Sequence, residues 1–271
     1  QMVPAHYTVV ILGAGHGHQR ESVPHRLELR QVTAVLDDGD RGVTVLLTTH
    51  DLDDIESLCR EYDVDFKDMT IAGEKFRFAT PRTIDRFIDL TDITHDFPLW
   101  AKIWKASWLL AENVAGQPPD ATQKILEIGS GIGVVGVVAS RFGHDITLSE
   151  YNAHALNFAA ANLCLNQCRD VKIQKLDWRH PDLKETYDWI IGSEVLYHER
   201  DLEPLLNLFR KYLKPDGHIT LTMGVRKGGM AMLGHLQRYF DLTVKKYTIR
   251  SADESTRVLR CSMRPLSSIN T

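Results

Sequence analysis

Thirteen residues, KILEIGSGIGVVG from Lys124 to Gly136, constrain the fold more than any other stretch. A short apolar run passes through glycines at 129, 131 and 133 into a segment with helical spacing. Glycines so placed let a strand turn sharply into a helix, the opening move of a βαβ unit. Further short apolar runs follow: DITLS (145–149), VKIQKL (171–176), YDWIIG (187–192) and HITLTM (218–223). Their composition suits parallel strands covered on both faces. Helical patterns occupy 132–142, 152–166, 201–213 and 229–239. Two last runs, FDLTVKKYTI (240–249) and TRVLRCSM (256–263), are joined only by RSADES, so they should pair antiparallel. The expected fold class is α/β, a doubly wound seven-stranded sheet with a C-terminal antiparallel hairpin.

The 271 residues are 43% hydrophobic and 25% charged, enough apolar material for one large domain and an appendage. No apolar run approaches the roughly 18 residues of a membrane span, and the N-terminus lacks a basic-then-apolar signal. A cytoplasmic protein with no membrane partner is expected. Cys59, Cys164, Cys168 and Cys261 contain no C-x-x-C pair, so neither zinc nor disulfides are expected. The net charge of −4 argues against a nucleic-acid coat, although residues from Asp201 onward hold twelve Lys and Arg against six Asp and Glu.

The first part of the chain is less regular. MTIAGEKFRFAT (69–80) reads as a hairpin turning at Ala72 and Gly73. GVTVLLTTHDLDDIESLC (42–59) resembles the strand and switch-histidine segment of ABC-transporter ATPases, with His50 at the switch position. No G-x-x-x-x-G-K-[ST] loop accompanies it, so no ATPase activity is inferred. VVILGAGHGH (9–18) places His18 where a dinucleotide fingerprint needs its third glycine, and His6, His16, His18 and His25 lack metal-ligand spacing. The expected division is a 1–60 extension, a 61–96 hairpin and linker, a 97–265 main α/β domain and a 266–271 tail. Residues 1–60 are expected to be dispensable for cofactor binding and for folding of the remainder.

The glycine turn admits two chemical readings. From Gly131 it spells the dinucleotide pattern G-x-G-x-x-G, which brings a helix N-terminus to a pyrophosphate. From Glu127 it spells acid-x-G-x-G-x-G, which suits S-adenosylmethionine, whose methionine end carries cationic groups that a carboxylate complements. Gly129 and Gly131, with Ser130 between them, leave room for the cofactor to lie close to the backbone. Glu150, ending the second strand in ITLSE, serves ribose hydroxyls in either reading. The third strand discriminates: KLDW ends in Asp177 and Trp178, and resembles the place where the methyltransferase fold puts an acid toward the adenine amino group and a flat wall against its ring.

The fourth strand ends IIGSEVLYHE, where Ser193, Glu194 and Tyr197 give an acid-x-x-aromatic pattern instead of N-P-P-Y. This pattern resembles the family-16 protein methyltransferases within the class I, seven-strand, Rossmann-like methyltransferases. FPLWAKIWKASWLLAENV (97–114) is similar to that family's helix before the core, with Trp104 against the cofactor. The resemblance runs over roughly residues 62–265. It implies S-adenosylmethionine as cofactor, contacted by Trp104, Glu127, Gly129, Ser130, Gly131, Glu150, Asp177, Trp178 and Ser193, with Ser193 at the fourth strand's end. It implies transfer to a nitrogen nucleophile, a protein lysine first, with Glu194 holding the amine and Tyr197 walling a narrow channel. His198 is an adjacent candidate proton acceptor, although neighbours on a turn tend to point apart. No metal is called for. A small-molecule N- or O-methyltransferase and a non-catalytic cofactor-binding module are the alternatives. The absence of an inserted cap between Gly192 and Gly217 favours an open mouth and a protein substrate, with the chain acting as a monomer.

Overall fold

The computed structural model describes residues 34–36, 45–47, 49–88, 97–120, 122–168, 170–250 and 255–266. VVILGAGHGH and the histidines at 6, 16, 18 and 25 lie outside the described residues. In chain order the elements are β1 (Ala34–Leu36), β2 (Val45–Leu47), α1 (Thr49–Glu61), β3 (Val64–Ile71) and β4 (Glu74–Pro81). They continue with α2 (Lys105–Ala115), β5 (Lys124–Ile128), α3 (Val134–Arg141), β6 (Asp145–Glu150), α4 (Ala153–Leu165) and β7 (Lys172–Lys175). The last are β8 (Tyr187–Ser193), α5 (Leu202–Tyr212), β9 (Leu213–Gly224), α6 (Lys227–Leu236), β10 (Phe240–Arg250) and β11 (Ser255–Pro265).

Among the described residues, seven strands form one sheet in the order β10-β11-β9-β8-β5-β6-β7. The pairs β5/β6, β6/β7, β5/β8 and β8/β9 are parallel, and β11 pairs antiparallel with both β9 and β10. The chain reverses its winding between β5 and β8, and that switch point opens a crevice beyond the strands' C-terminal ends. Side chains of β5 alternate between two cores. Ile125 packs with residues of α2, α3 and α4, whereas Leu126 and Ile128 pack with α5 residues such as Leu205 and Phe209. The expected doubly wound sheet with its closing antiparallel pair is therefore present. The largest boundary differences are at two strand starts: β3 begins at Val64, five residues before the expected hairpin, and β9 starts at Leu213, five residues before the apolar run. The pairing shifts from Tyr187↔Leu213 to Trp189↔His218, so Lys214 to Gly217, whose Pro and Gly read as a turn, are absorbed as an irregularity within the strand.

The hairpin turns at Ala72 (φ +50°) and Gly73 (φ +85°), both left-handed as a two-residue turn requires. Its β4 edge is buried and, among the described residues, has no third strand beside it. Two asparagines one helical turn apart on α4 take that place. Asn162 accepts from the Ala79 N–H at 2.6 Å and donates to the Ala79 carbonyl at 3.1 Å. Asn166 accepts from the Arg77 N–H at 3.0 Å and donates to the Arg77 carbonyl at 2.7 Å. Asn162 also donates to the Ile132 carbonyl at 2.8 Å, so the hairpin, α4 and the glycine turn are fastened together.

Helix α1 carries the sequence that resembles an ATPase fragment, and it packs on the core. Ile55 and Leu58 are buried, and the Tyr62 hydroxyl lies 2.7 Å from His154 Nδ1 at the start of α4. A division at residue 60 would cut this helix one residue before its end, and we propose that α1 contributes to the stability of the remainder. Removing two buried aliphatic side chains costs about 1.5–3 kcal/mol each. A chain beginning at Tyr62 should therefore melt roughly 6–12 °C below the full chain. Equal melting temperatures in a calorimetric scan would return α1 to the status of an appendage.

Candidate functional site

The glycine turn is shaped by what surrounds it. Gly129 has φ +60°, and a Cβ there would lie 2.9 Å from Val195 Cγ1 and 3.5 Å from the Trp178 ring. Gly131 has φ +55°, and a Cβ there would lie 3.2 Å from the Trp100 carbonyl oxygen. Both conformations are strained for any residue with a side chain. Glu150, at the end of β6, ties the turn to the next helix. Its Oε2 accepts from the Gly131 N–H at 2.9 Å, and its Oε1 accepts from the N–H groups of Tyr151 (2.7 Å) and Asn152 (3.0 Å). Asn152 then caps α4 by accepting from the His154 and Ala155 N–H groups.

Over the ends of β5, β6 and β8 lies a cavity of about 300 Å³. Its walls bring together every residue singled out from the sequence: Trp104, Glu127, Gly129, Ser130, Gly131, Glu150, Asp177, Trp178, Ser193, Glu194 and Tyr197. Phe97, Tyr151 and Tyr197 are half-exposed around it. Trp104 precedes α2 and is oriented by donation from its Nε1 to the Leu99 carbonyl at 2.8 Å.

The charges are arranged unevenly. Glu127 is 2% exposed, and burial pushes its carboxyl up to about 8, opposed by the Gly136 backbone N–H and reinforced by the Glu150 charge. Its Oε2 has no hydrogen-bond partner among the described residues, nor do the Ser130 and Ser193 hydroxyls. Buried polar atoms left without partners are uncommon, and three around one cavity mark a place built for a polar ligand. Burial also raises Glu150, against the hydrogen bonds from the Asn152, Gly131 and Tyr151 N–H groups. Asp177 is held below the usual carboxylate range, chiefly by Arg179, which meets it at 2.9 Å through both Nε and Nη2. Asp177 thus faces the cavity already paired.

At the other end, Glu194 sits in the left-handed region with φ +59°. Its N–H donates to the Thr222 carbonyl at 2.8 Å, and its Oε1 accepts from the Gly224 N–H at 2.8 Å. Arg226 donates from Nη2 to Oε2. The Tyr197 ring is 42% exposed, with the Arg226 guanidinium 4.6 Å from its centroid. The His198 ring meets Tyr197 edge-on at 4.7 Å, and both line the cavity, so these neighbours do not point apart as expected. The Glu194 carboxylate is engaged by Gly224 and Arg226 and not by the start of α5, and a ring as exposed as Tyr197 is not core packing.

Sequence reasoning passed over three residues. Tyr151 directly follows Glu150, and its ring is flanked by Lys175 and Arg179, each 5.5 Å away. Trp100 lies in the quoted 97–114 stretch, but its main contribution is a backbone carbonyl against Gly131, which no side-chain pattern signals. Arg226 lies 32 positions after its partner Glu194, and only the parallel pairing of β8 with β9 brings them together.

A sequence profile of the family described as lysine methyltransferase matches residues 90–236. The protein N-lysine methyltransferase METTL21A of Xenopus tropicalis is 28% identical over 133 residues, covering 46% of this chain and 61% of that protein. The histone-arginine methyltransferase METTL23 of Xenopus laevis is 25% identical over 179 residues, covering 60% of this chain and 73% of that protein. Among solved structures, precorrin-6y C5,15-methyltransferase from Geobacter metallireducens superposes with a TM-score of 0.51 at 17% identity. It covers 70% of this chain and 94% of that chain, a likeness of fold alone. The chain thus spans about three fifths of the length of METTL21A. With the family profile matching more than half of the sequence, and the sheet order and glycine turn described above, the chain belongs to the lysine methyltransferase family.

Proposed function

We propose that this protein transfers a methyl group from S-adenosylmethionine to a nitrogen nucleophile of another protein, a lysine side chain. The observation that carries the reading is one cavity with a buried carboxylate at one end, one of whose oxygens has no partner among the described residues, and at the other a largely buried acid, Glu194, beside the half-exposed ring of Tyr197. When bound, S-adenosylmethionine supplies an electrophilic methyl group on a sulfonium sulfur. Glu127 has a free acceptor oxygen for the ligand's ammonium, and the Ser130 and Ser193 hydroxyls offer further partners. Glu150 has acceptor capacity left for ribose hydroxyls while it holds the glycine turn. Trp178 and Asp177 would hold the adenine, with Trp104 as a further wall of the same cavity.

The acceptor nitrogen must present a lone pair, and a lysine with an ordinary pKa of about 10.4 must first lose a proton. Glu194 and Tyr197 would bound the place where that amine enters, and His198, which lines the same cavity edge-on to Tyr197, would accept its proton. Aligning amine and methyl in a site shielded from water accounts for a large part of such a barrier reduction. The half-exposed rim of Phe97, Tyr151 and Tyr197 suits a protein surface better than an enclosed small molecule.

The test uses tritiated cofactor and a cell lysate, with label followed into protein and small-molecule fractions. Label in discrete protein bands is expected. Label confined to small molecules would sink the protein-substrate reading.

Glu150→Ala tests the cofactor end. Three backbone N–H groups lose their acceptor, and hydrogen bonds to charged groups are worth about 1.5–3 kcal/mol. Cofactor affinity should fall at least tenfold by calorimetry, and the unliganded protein should also lose thermal stability. An unchanged dissociation constant in a folded variant would remove Glu150 from the site.

A further inference from the structure

We propose that Arg226 is a positioning residue for methyl transfer, fixing Glu194 and Tyr197 from outside the cavity as one rigid acceptor wall. The inference rests on the reading of the site given above. Arg226 is not among the described residues that line the cavity, so its part is exercised through the two that do.

Three contacts from one short stretch of chain converge on Glu194. The Thr222 carbonyl receives its N–H, the Gly224 N–H reaches Oε1, and Arg226 reaches Oε2. Glu194 meanwhile holds φ +59°, a conformation that non-glycine residues keep only where surroundings over-determine it, and such strain gathers at functional sites. The ion pair is partly withdrawn from water, with side-chain exposures of 13% for Glu194 and 32% for Arg226. Arg226 Nε is buried with no hydrogen-bond partner among the described residues, so Glu194 and the Tyr197 ring face, 4.6 Å away, orient the guanidinium. A planar guanidinium suits that double duty, because it pairs with a carboxylate in its plane and stacks on an aromatic face.

The arrangement changes the part played by Glu194. Its charge is balanced within the protein, so the wall recognises an acceptor amine by position and by remaining lone pairs more than by net attraction to a cation. Removing Arg226 should therefore leave the cofactor end untouched and let the carboxylate and ring drift from the line of transfer.

Arg226→Met and Arg226→Lys, each checked for folding by circular dichroism, are compared with the full chain using tritiated S-adenosylmethionine and graded concentrations of lysate protein. Arg226→Met should lower the maximal rate per folded molecule at least fivefold, with cofactor affinity by calorimetry within twofold. Arg226→Lys, which keeps the charge and loses the planar fork, should fall between. Should Arg226→Met not fold, the lysine variant carries the test through the same intermediate rate. Added to Glu194→Gln, Arg226→Met should cost less than the fivefold it costs by itself, because only its hold on the Tyr197 ring is then left to lose. Unchanged rates in every variant that folds would overturn the inference and leave the methyltransferase reading standing. So would an unchanged maximal rate at a lower half-saturating lysate concentration, which would make Arg226 a shield over the carboxylate. An unaltered chain that labels no protein would instead overturn the functional reading, and this inference with it.

Discussion

Replacing Glu127 by Gln should weaken S-adenosylmethionine binding at least tenfold at pH 8 and, at the same pH, raise the melting temperature of the unliganded protein. The two effects share a cause. Burial moves the Glu127 carboxyl from 4.5 to about 8, so the folded state holds its proton far more tightly than the unfolded chain does. For an acid raised in this way, the associated stability is complete below the unfolded value and is lost as pH rises through the folded value. Each pH unit of displacement corresponds to about 1.4 kcal/mol, so burying the ionised form costs on the order of 5 kcal/mol above pH 8. A glutamine avoids that cost and can still accept from the Gly136 N–H. It cannot offer a charge to a ligand ammonium. Binding should accordingly release a proton from Glu127 below pH 8, and affinity should climb about tenfold per pH unit from pH 6 toward a maximum near 8. Above that, the ligand's own α-amino group, with an ordinary value of about 7.7–8.0, begins to deprotonate. Calorimetry in buffers of different ionisation enthalpy reads the proton directly. Equal affinities and equal pH profiles for the two proteins would place the cofactor's cationic end elsewhere.

The second large effect is expected at Glu194. Glu194→Gln keeps shape and removes charge, and it should slow transfer at least tenfold, about 1.4 kcal/mol of transition-state stabilisation, while cofactor affinity stays within twofold. It should also lower thermal stability, because Arg226 loses the partner of a partly buried ion pair and one cation is left uncompensated. Tyr197→Phe is informative beside it. The ring and its contact with Arg226 survive, so a small loss of rate assigns Tyr197 the part of a wall, and a large one assigns its hydroxyl a hydrogen bond to the acceptor. Normal methylation per folded molecule in both variants would reopen the substrate class.

Much of this was legible in the sequence because it is local. KILEI alternates its side chains between two covered faces, the glycines mark a turn where a Cβ would strike Val195 or the Trp100 carbonyl, and the closing strands are near neighbours in the chain. Most of the residues proposed for the cavity were found the same way, at or just after the ends of strands, where a parallel sheet gathers them; Trp104, before α2, came from the resemblance instead. What escaped depends on distant parts of the chain. Nothing near Ile55 or Leu58 says that α4 will cover them, and nothing near Asn162 or Asn166 says that a hairpin edge will need their amides. Asp177 looked free for adenine, yet Arg179 two residues on engages both its oxygens. Arg226 has no motif around it. Its place follows only from β9 lying beside β8, which carries the end of one strand to the end of the other.

The central claim is tested most directly by identifying the atom that receives the methyl group. The protein bands labelled by the full-length chain in a lysate would be digested and sequenced by tandem mass spectrometry. The account predicts the added mass on lysine Nε, present with the full chain and strongly reduced with Glu194→Gln. A methyl group on arginine, histidine or a small molecule, or equal labelling by Glu194→Gln, would contradict it.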